Sequence, residues 1–170
     1  MSVELSRNAP SNPIADGMDP EDFNNLIPEL QDWNEGQGID AESWIQCIGN
    51  FEHAIGYTQL FWPEFVLHRG YILRKGFTEE NLDGFIGDGS STRTQVEAVM
   101  NHIHIVNLFG VWDPAATPSI EQILYLGRTL REMWEVKLKR DFPDEHLTVS
   151  FNEEPCDDLL DYQLTVYHTE

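Results

Sequence analysis

The sequence predicts an α+β fold, with about four to five helices packed on one face of a small antiparallel β-sheet, and three observations lead there. Two segments, 93–109 and 118–140, repeat apolar residues every three to four positions, the period of a helix with one buried face. Near the C-terminus the period drops to two: Leu147, Val149 and Phe151 alternate with Thr148, Ser150 and Asn152, and Leu164, Val166 and His168 alternate with Thr165 and Tyr167. At 170 residues, 41% hydrophobic and with five Trp, the chain has apolar surface enough for a core without disulfide staples. Helices collected ahead of paired strands, rather than alternating with them, give the α+β class.

Residues 1–18 are rich in Ser, Asn and Pro and lack periodicity, so they read as a flexible leader, with one domain over 19–170. Asp19 then caps a short helix whose first residue is Pro20 and which Pro28 stops. The segment 31–40 is a loop that holds Trp33 among polar residues and two glycines. Asp40 caps the next helix, on which Trp44, Ile48, Phe51, Ile55 and Trp62 form one stripe expected to press on the core until Pro63 ends it. Residues 64–77, branched and aromatic around Arg69-Gly70, suggest a hairpin or bent strand. Thr78 caps a short helix through Ile86, and GDGSST follows as a loop. In the helix at 93–109, Val96, Val99, Ile103 and Val106 share a face. In the helix at 118–140, Ile120, Ile123, Leu130, Trp134 and Leu138 do, with Thr117-Pro118 as cap and first residue. The two C-terminal strands are expected to pair antiparallel across the acidic connection EEPCDDLLD.

Charge is unevenly distributed within a net of −20. Residues 1–68 contain twelve acids and one base, Arg7; residues 141–170 contain nine acids and no base; residues 69–140 contain nine of each. Two acidic ends around a neutral centre favour a basic protein partner, since a one-signed patch speeds encounter with the opposite sign. An evenly spread acidity would instead suit adaptation to high salt. The same balance disfavours nucleic acid and anionic membrane, because affinity for either rests on Lys and Arg. The absence of a bilayer-length apolar run and of a secretory pattern at the start leads to an expected cytoplasmic location.

The candidate partner-binding residues are Trp33 and the carboxylates Glu153, Glu154, Asp157, Asp158 and Asp161, the densest acidic cluster in the chain. Their spacing is not that of a calcium loop, and no cofactor or metal site is expected. His102 and His104 are the obvious ligand pair, but on a helix two residues separate them by about 200°. Cys47 sits beside the apolar stripe and reads as a buried structural thiol; six residues put His53 out of its reach around the helix. GFIGDGSST lacks the Lys of a phosphate loop. The bases Arg128, Arg131, Lys137, Lys139 and Arg140 are expected to fasten their helix to an acidic end of the same molecule. The leading reading is therefore an acidic interaction module of inhibitor, immunity-type or adaptor kind. Its rival is a hydrolytic enzyme whose histidine, His102 or His104, meets a carboxylate in a cleft.

Overall fold

The computed structural model describes residues 20–87, 89–109 and 117–169. The expected leader, the Asp19 cap and Asp88 of the GDGSST loop lie outside them. The chain divides into two units, Met1–Gly49 and Asn50–Glu170.

In the first unit, α1 (Pro20–Leu26) gives way to a 3-10 turn whose first residue is Pro28, which cannot continue α1. Leu30 in that turn is buried. A tight loop follows, in which Asn34, Glu35 and Gly36 all take positive φ and the Trp33 carbonyl accepts from the Gly36 and Gly38 amides. Asp40 then caps α2 (Ala41–Ile48), its side chain accepting from the Ser43 amide and hydroxyl. These two bonds hold the Asp40 carboxyl below its ordinary pKa.

The helix predicted to run from Asp40 to Trp62 is interrupted. Gly49 and Asn50 are both extended, and the Asn50 side chain accepts from the Glu52 and His53 amides, so it caps a new helix, α3 (Phe51–Phe61). An Asn that satisfies two free amides of the following turn competes well with helix continuation, and periodicity alone does not see that competition. The expected stripe is also mostly outside the core: Ile48 and Ile55 are exposed, and Phe51 is 90% exposed. No residue of α2 or α3 is fully buried, and Cys47, expected inside, is exposed.

The second unit holds the α+β architecture, with its antiparallel strands divided between two small sheets. Strands β1 (Phe65–His68) and β2 (Tyr71–Arg74) form the expected hairpin. Arg69 and Gly70 turn it with φ of 52° and 85°, the left-handed pair of a two-residue turn. Arg69 tolerates that backbone while its guanidinium lies 2.6 Å from Asp83 on α4 (Glu79–Ile86). Three strands in the order β3-β5-β4 form the other sheet: β3 (Ile103–His104), β4 (Leu147–Phe151) and β5 (Gln163–His168). The register sets Val149 opposite Val166 and Phe151 opposite Leu164, so the alternation read from the sequence faces one core.

Helix α6 (Ile120–Asp141) covers that face with Ile123, Leu130, Trp134 and Leu138 buried. Its cap is Ser119, in a reciprocal box with Gln122, rather than Thr117. Gly127 lies under the Phe151 ring, which occupies the space a Cβ would need.

Helix α5 (Arg93–Asn101) is shorter than its predicted span of 93–109. It stops at Asn101 because residues 103–104 pair with β5 and Ile105–Asn107 form a 3-10 turn. The predicted face is divided: Val96 is buried on α5 and Ile103 in β3, whereas Val99 is exposed.

Candidate functional site

The acidic connection between β4 and β5 bends through a 3-10 turn, Leu159–Asp161, which Asp158 caps by accepting from the Leu160 amide. Asn152 donates to the Asp161 carbonyl and closes the loop on itself. Glu153 is held inward: Arg128 and Arg131 of α6 reach its two oxygens at 2.8 and 2.5 Å. Burial opposes its ionisation, but the hydrogen bond and charge of Arg128 together with those of Arg131 outweigh burial, and the pKa lies below the ordinary Glu value. Glu154, Asp157, Asp158 and Asp161 are exposed, and among the described residues no base comes within ion-pair distance of them.

Four of the five bases of the basic stretch of α6 pair within the molecule, as expected, while Lys139 is exposed. Lys137 and Arg140 both contact Asp141, and both cations lie over the Trp62 ring, at 5.9 and 5.2 Å from its centroid. The Lys137 hydrogen bond, followed by that of Arg140, outweighs burial and holds the Asp141 pKa down. Arg128 and Arg131 are engaged by Glu153, so these four bases neutralise two acids and leave the loop carboxylates uncompensated.

One pH prediction follows from Glu153. Because its native pKa is lowered, its contribution is complete above the unfolded value and disappears as pH falls through the native one. Glu153→Gln is expected to cost about 1 kcal/mol at neutral pH, in line with a partly exposed pair. That difference from wild type should vanish on acidification in parallel urea titrations; a pH-independent difference would mean that the lost stability is not electrostatic.

Other features adjoin the loop. The Leu159–Asp161 turn packs against the turn Ile105–Asn107. Two residues beyond that turn, Phe109 meets Tyr57 of α3 edge-on, with ring centroids 5.4 Å apart. Phe109 and Tyr57 are exposed, as are Phe51, Ile55 and Leu160. Ile55 and Tyr57, two positions apart on α3, point about 200° from one another, so Phe51 and Ile55 form an apolar patch separate from Tyr57 and Phe109. Trp33, the aromatic anchor expected from sequence, belongs to the first unit; it is half-buried, and its indole N–H donates to Glu29 at 3.2 Å. Cys156 is half-buried against the core.

The histidines sit differently from their helical prediction. His102 ends α5 in extended conformation and His104 lies in β3, so their rings come together, 5.1 Å between centroids, instead of pointing apart. Among the described residues neither contacts a carboxylate. His168, which sequence reasoning treated only as a strand residue, contacts two, and His68 contacts one, Glu79, at 2.7 Å. The Nδ1 of His168 lies 2.7 Å from Glu97 and its Nε2 2.8 Å from Glu145, while Arg93 reaches Glu97 at 3.3 Å. Carboxylate oxygens only accept, so both contacts are hydrogen bonds when both ring nitrogens carry protons. With both nitrogens engaged by carboxylates and the ring buried, His168 is part of the fold. A cavity of about 330 Å³ opens beside Glu145, lined by Leu138, Lys139, Phe142, His146 and Val149 among others, and contains neither His102 nor His104. Among the described residues no three His, Cys, Asp or Glu side chains are grouped to hold a metal, and no helix is long and apolar enough to cross a membrane.

No family model, curated protein or solved structure matches this chain.

Proposed function

We propose that this protein is an acidic interaction module that receives a basic protein partner, acting as an inhibitor, immunity-type protein or adaptor. The observation that carries the reading is the set of exposed carboxylates Glu154, Asp157, Asp158 and Asp161, uncompensated while Arg128, Arg131, Lys137 and Arg140 of α6 are engaged elsewhere. Such a patch accelerates encounter with a cationic surface and repels phosphate backbones. Affinity then needs a desolvated apolar anchor, because exposed charge pairs contribute little each. Phe51 and Ile55, one turn apart on α3, supply one in place of Trp33, beside a carboxylate, Glu52, and in a stretch without Lys or Arg. A basic segment with apolar residues on one side complements both parts.

The test begins with native mass spectrometry of protein purified at low salt from its own cells, where a basic partner should dissociate as salt is raised. With that partner in hand, reversal of Glu154, Asp157, Asp158 and Asp161 to Lys is expected to slow association by about tenfold or more and to flatten its salt dependence. Phe51→Ala should act mainly on dissociation. Association kinetics unchanged by the reversal would remove the acidic loop from the interface and the reading with it.

A further inference from the structure

We propose that His102 and His104 form a two-imidazole site for a divalent transition-metal ion, with solvent completing the coordination. Three observations point there. Both residues are extended, with ψ of 147° at His102 and 123° at His104, so their side chains leave the same side of the chain. Each ring is oriented by its own carbonyl: His102 Nδ1 by Val99 at 2.5 Å and His104 Nδ1 by Leu160 at 2.6 Å. A carbonyl only accepts, so Nδ1 carries the proton of each neutral ring and Nε2 keeps the lone pair, the outer-shell arrangement typical of metal-binding histidine.

The third observation is the spacing. A metal–nitrogen bond of about 2.0–2.1 Å plus about 1.1 Å from nitrogen to ring centre puts each centroid about 3.2 Å from the ion. Two such rings at bond angles of about 90–110° have centroids roughly 4.5–5.2 Å apart. The observed 5.1 Å falls inside this interval. Paired imidazoles suit Cu²⁺, Ni²⁺ and Zn²⁺ rather than Ca²⁺ or Mg²⁺, with Cu²⁺ the tightest. The site holds independently of the partner-binding reading, since it uses none of the four loop carboxylates.

Titration of the metal-free protein with Cu²⁺ alone and Zn²⁺ alone tests it. One site per chain is expected, with a Cu²⁺ electron paramagnetic resonance spectrum showing nitrogen ligands. His102→Ala and His104→Ala should each weaken it by more than about tenfold, and His53→Ala, which changes an exposed histidine elsewhere, should not. His102→Gln and His104→Gln keep an N–H donor for the carbonyls, so folded variants are available if the alanine forms are unstable. Binding that survives all four of these His102 and His104 substitutions, or a copper spectrum of oxygen ligands only, would overturn the proposal.

Discussion

Glu97→Ala is expected to lower stability by about 3–5 kcal/mol, among the largest losses any single side chain of this protein gives. Glu97 is wholly buried on α5, yet its carboxylate accepts from the Ile72 amide, the His168 amide, the His168 ring and Arg93. Four residues on, Asn101 accepts from the Arg74 amide and donates to the Ile72 and Val166 carbonyls. Thr94 donates to the His168 carbonyl on the same side. Ile72 and Arg74 belong to β2, Val166 and His168 to β5, and none of these backbone groups has a strand partner on that edge. Helix α5 therefore lies between the free edge of β2 and the part of β5 that extends beyond the short β3, and satisfies both with side chains, where a further strand would use its backbone. Alanine at position 97 strands two buried amides and the ring at once. Glu97→Gln keeps the size and one acceptor oxygen and should lose less than half as much. Denaturant unfolding of the two variants measures the ordering, and a loss below about 1 kcal/mol for Glu97→Ala would show that these edge groups find other partners.

This arrangement explains how much of the structure was legible beforehand. The period-two strands at 147–151 and 164–168, the hairpin at Arg69-Gly70 and the stripe of α6 each signal through local pattern, and the structure has them, except that Ile120 of the stripe is exposed. The helix expected over 93–109 runs past α5 because Ile103 and Val106 serve a strand and a turn while keeping apolar spacing compatible with a helix. The one available hint was Asn101 itself, a poor helix-interior residue four positions after an acid on the same side. The break at Asn50 was missed for a similar reason: a cap is a local hydrogen-bonding choice, whereas the stripe from Trp44 to Trp62 is a count of apolar residues. The acidic loop was legible as charge, yet the pairing of Glu153 with Arg128 and Arg131 joins residues over twenty positions apart, which spacing does not encode.

The second large effect belongs to Trp134, whose replacement by Ala is expected to cost about 3–5 kcal/mol through lost burial and an unfilled cavity. Trp134 lies at the centre of the second unit, wholly buried. Its indole N–H donates to the Leu60 carbonyl at 2.8 Å, its ring meets Phe65 edge-on at 5.5 Å, and the Arg74 guanidinium lies 5.9 Å above it. Burial lowers the Arg74 pKa, and the ring face is the favourable contact that offsets part of that desolvation. One side chain thus ties α6 to the last turn of α3 and to both strands of the hairpin. Trp134→Phe fills most of the volume but leaves the Leu60 carbonyl without its donor, so a loss of about 1–2 kcal/mol is expected. The functional consequence is separate from stability. The N-terminal two turns of α3 are exposed, and the helix is anchored through Leu60, Phe61 and Trp62, so loosening that end should make the face bearing Phe51 and Ile55 less ordered before a partner arrives. Under conditions where Trp134→Phe is fully folded, partner affinity is therefore expected to fall while the association rate set by the acidic loop stays unchanged. Hydrogen exchange across residues 51–61 should quicken in the same variant, and exchange there equal to wild type would uncouple the core tryptophan from the binding face.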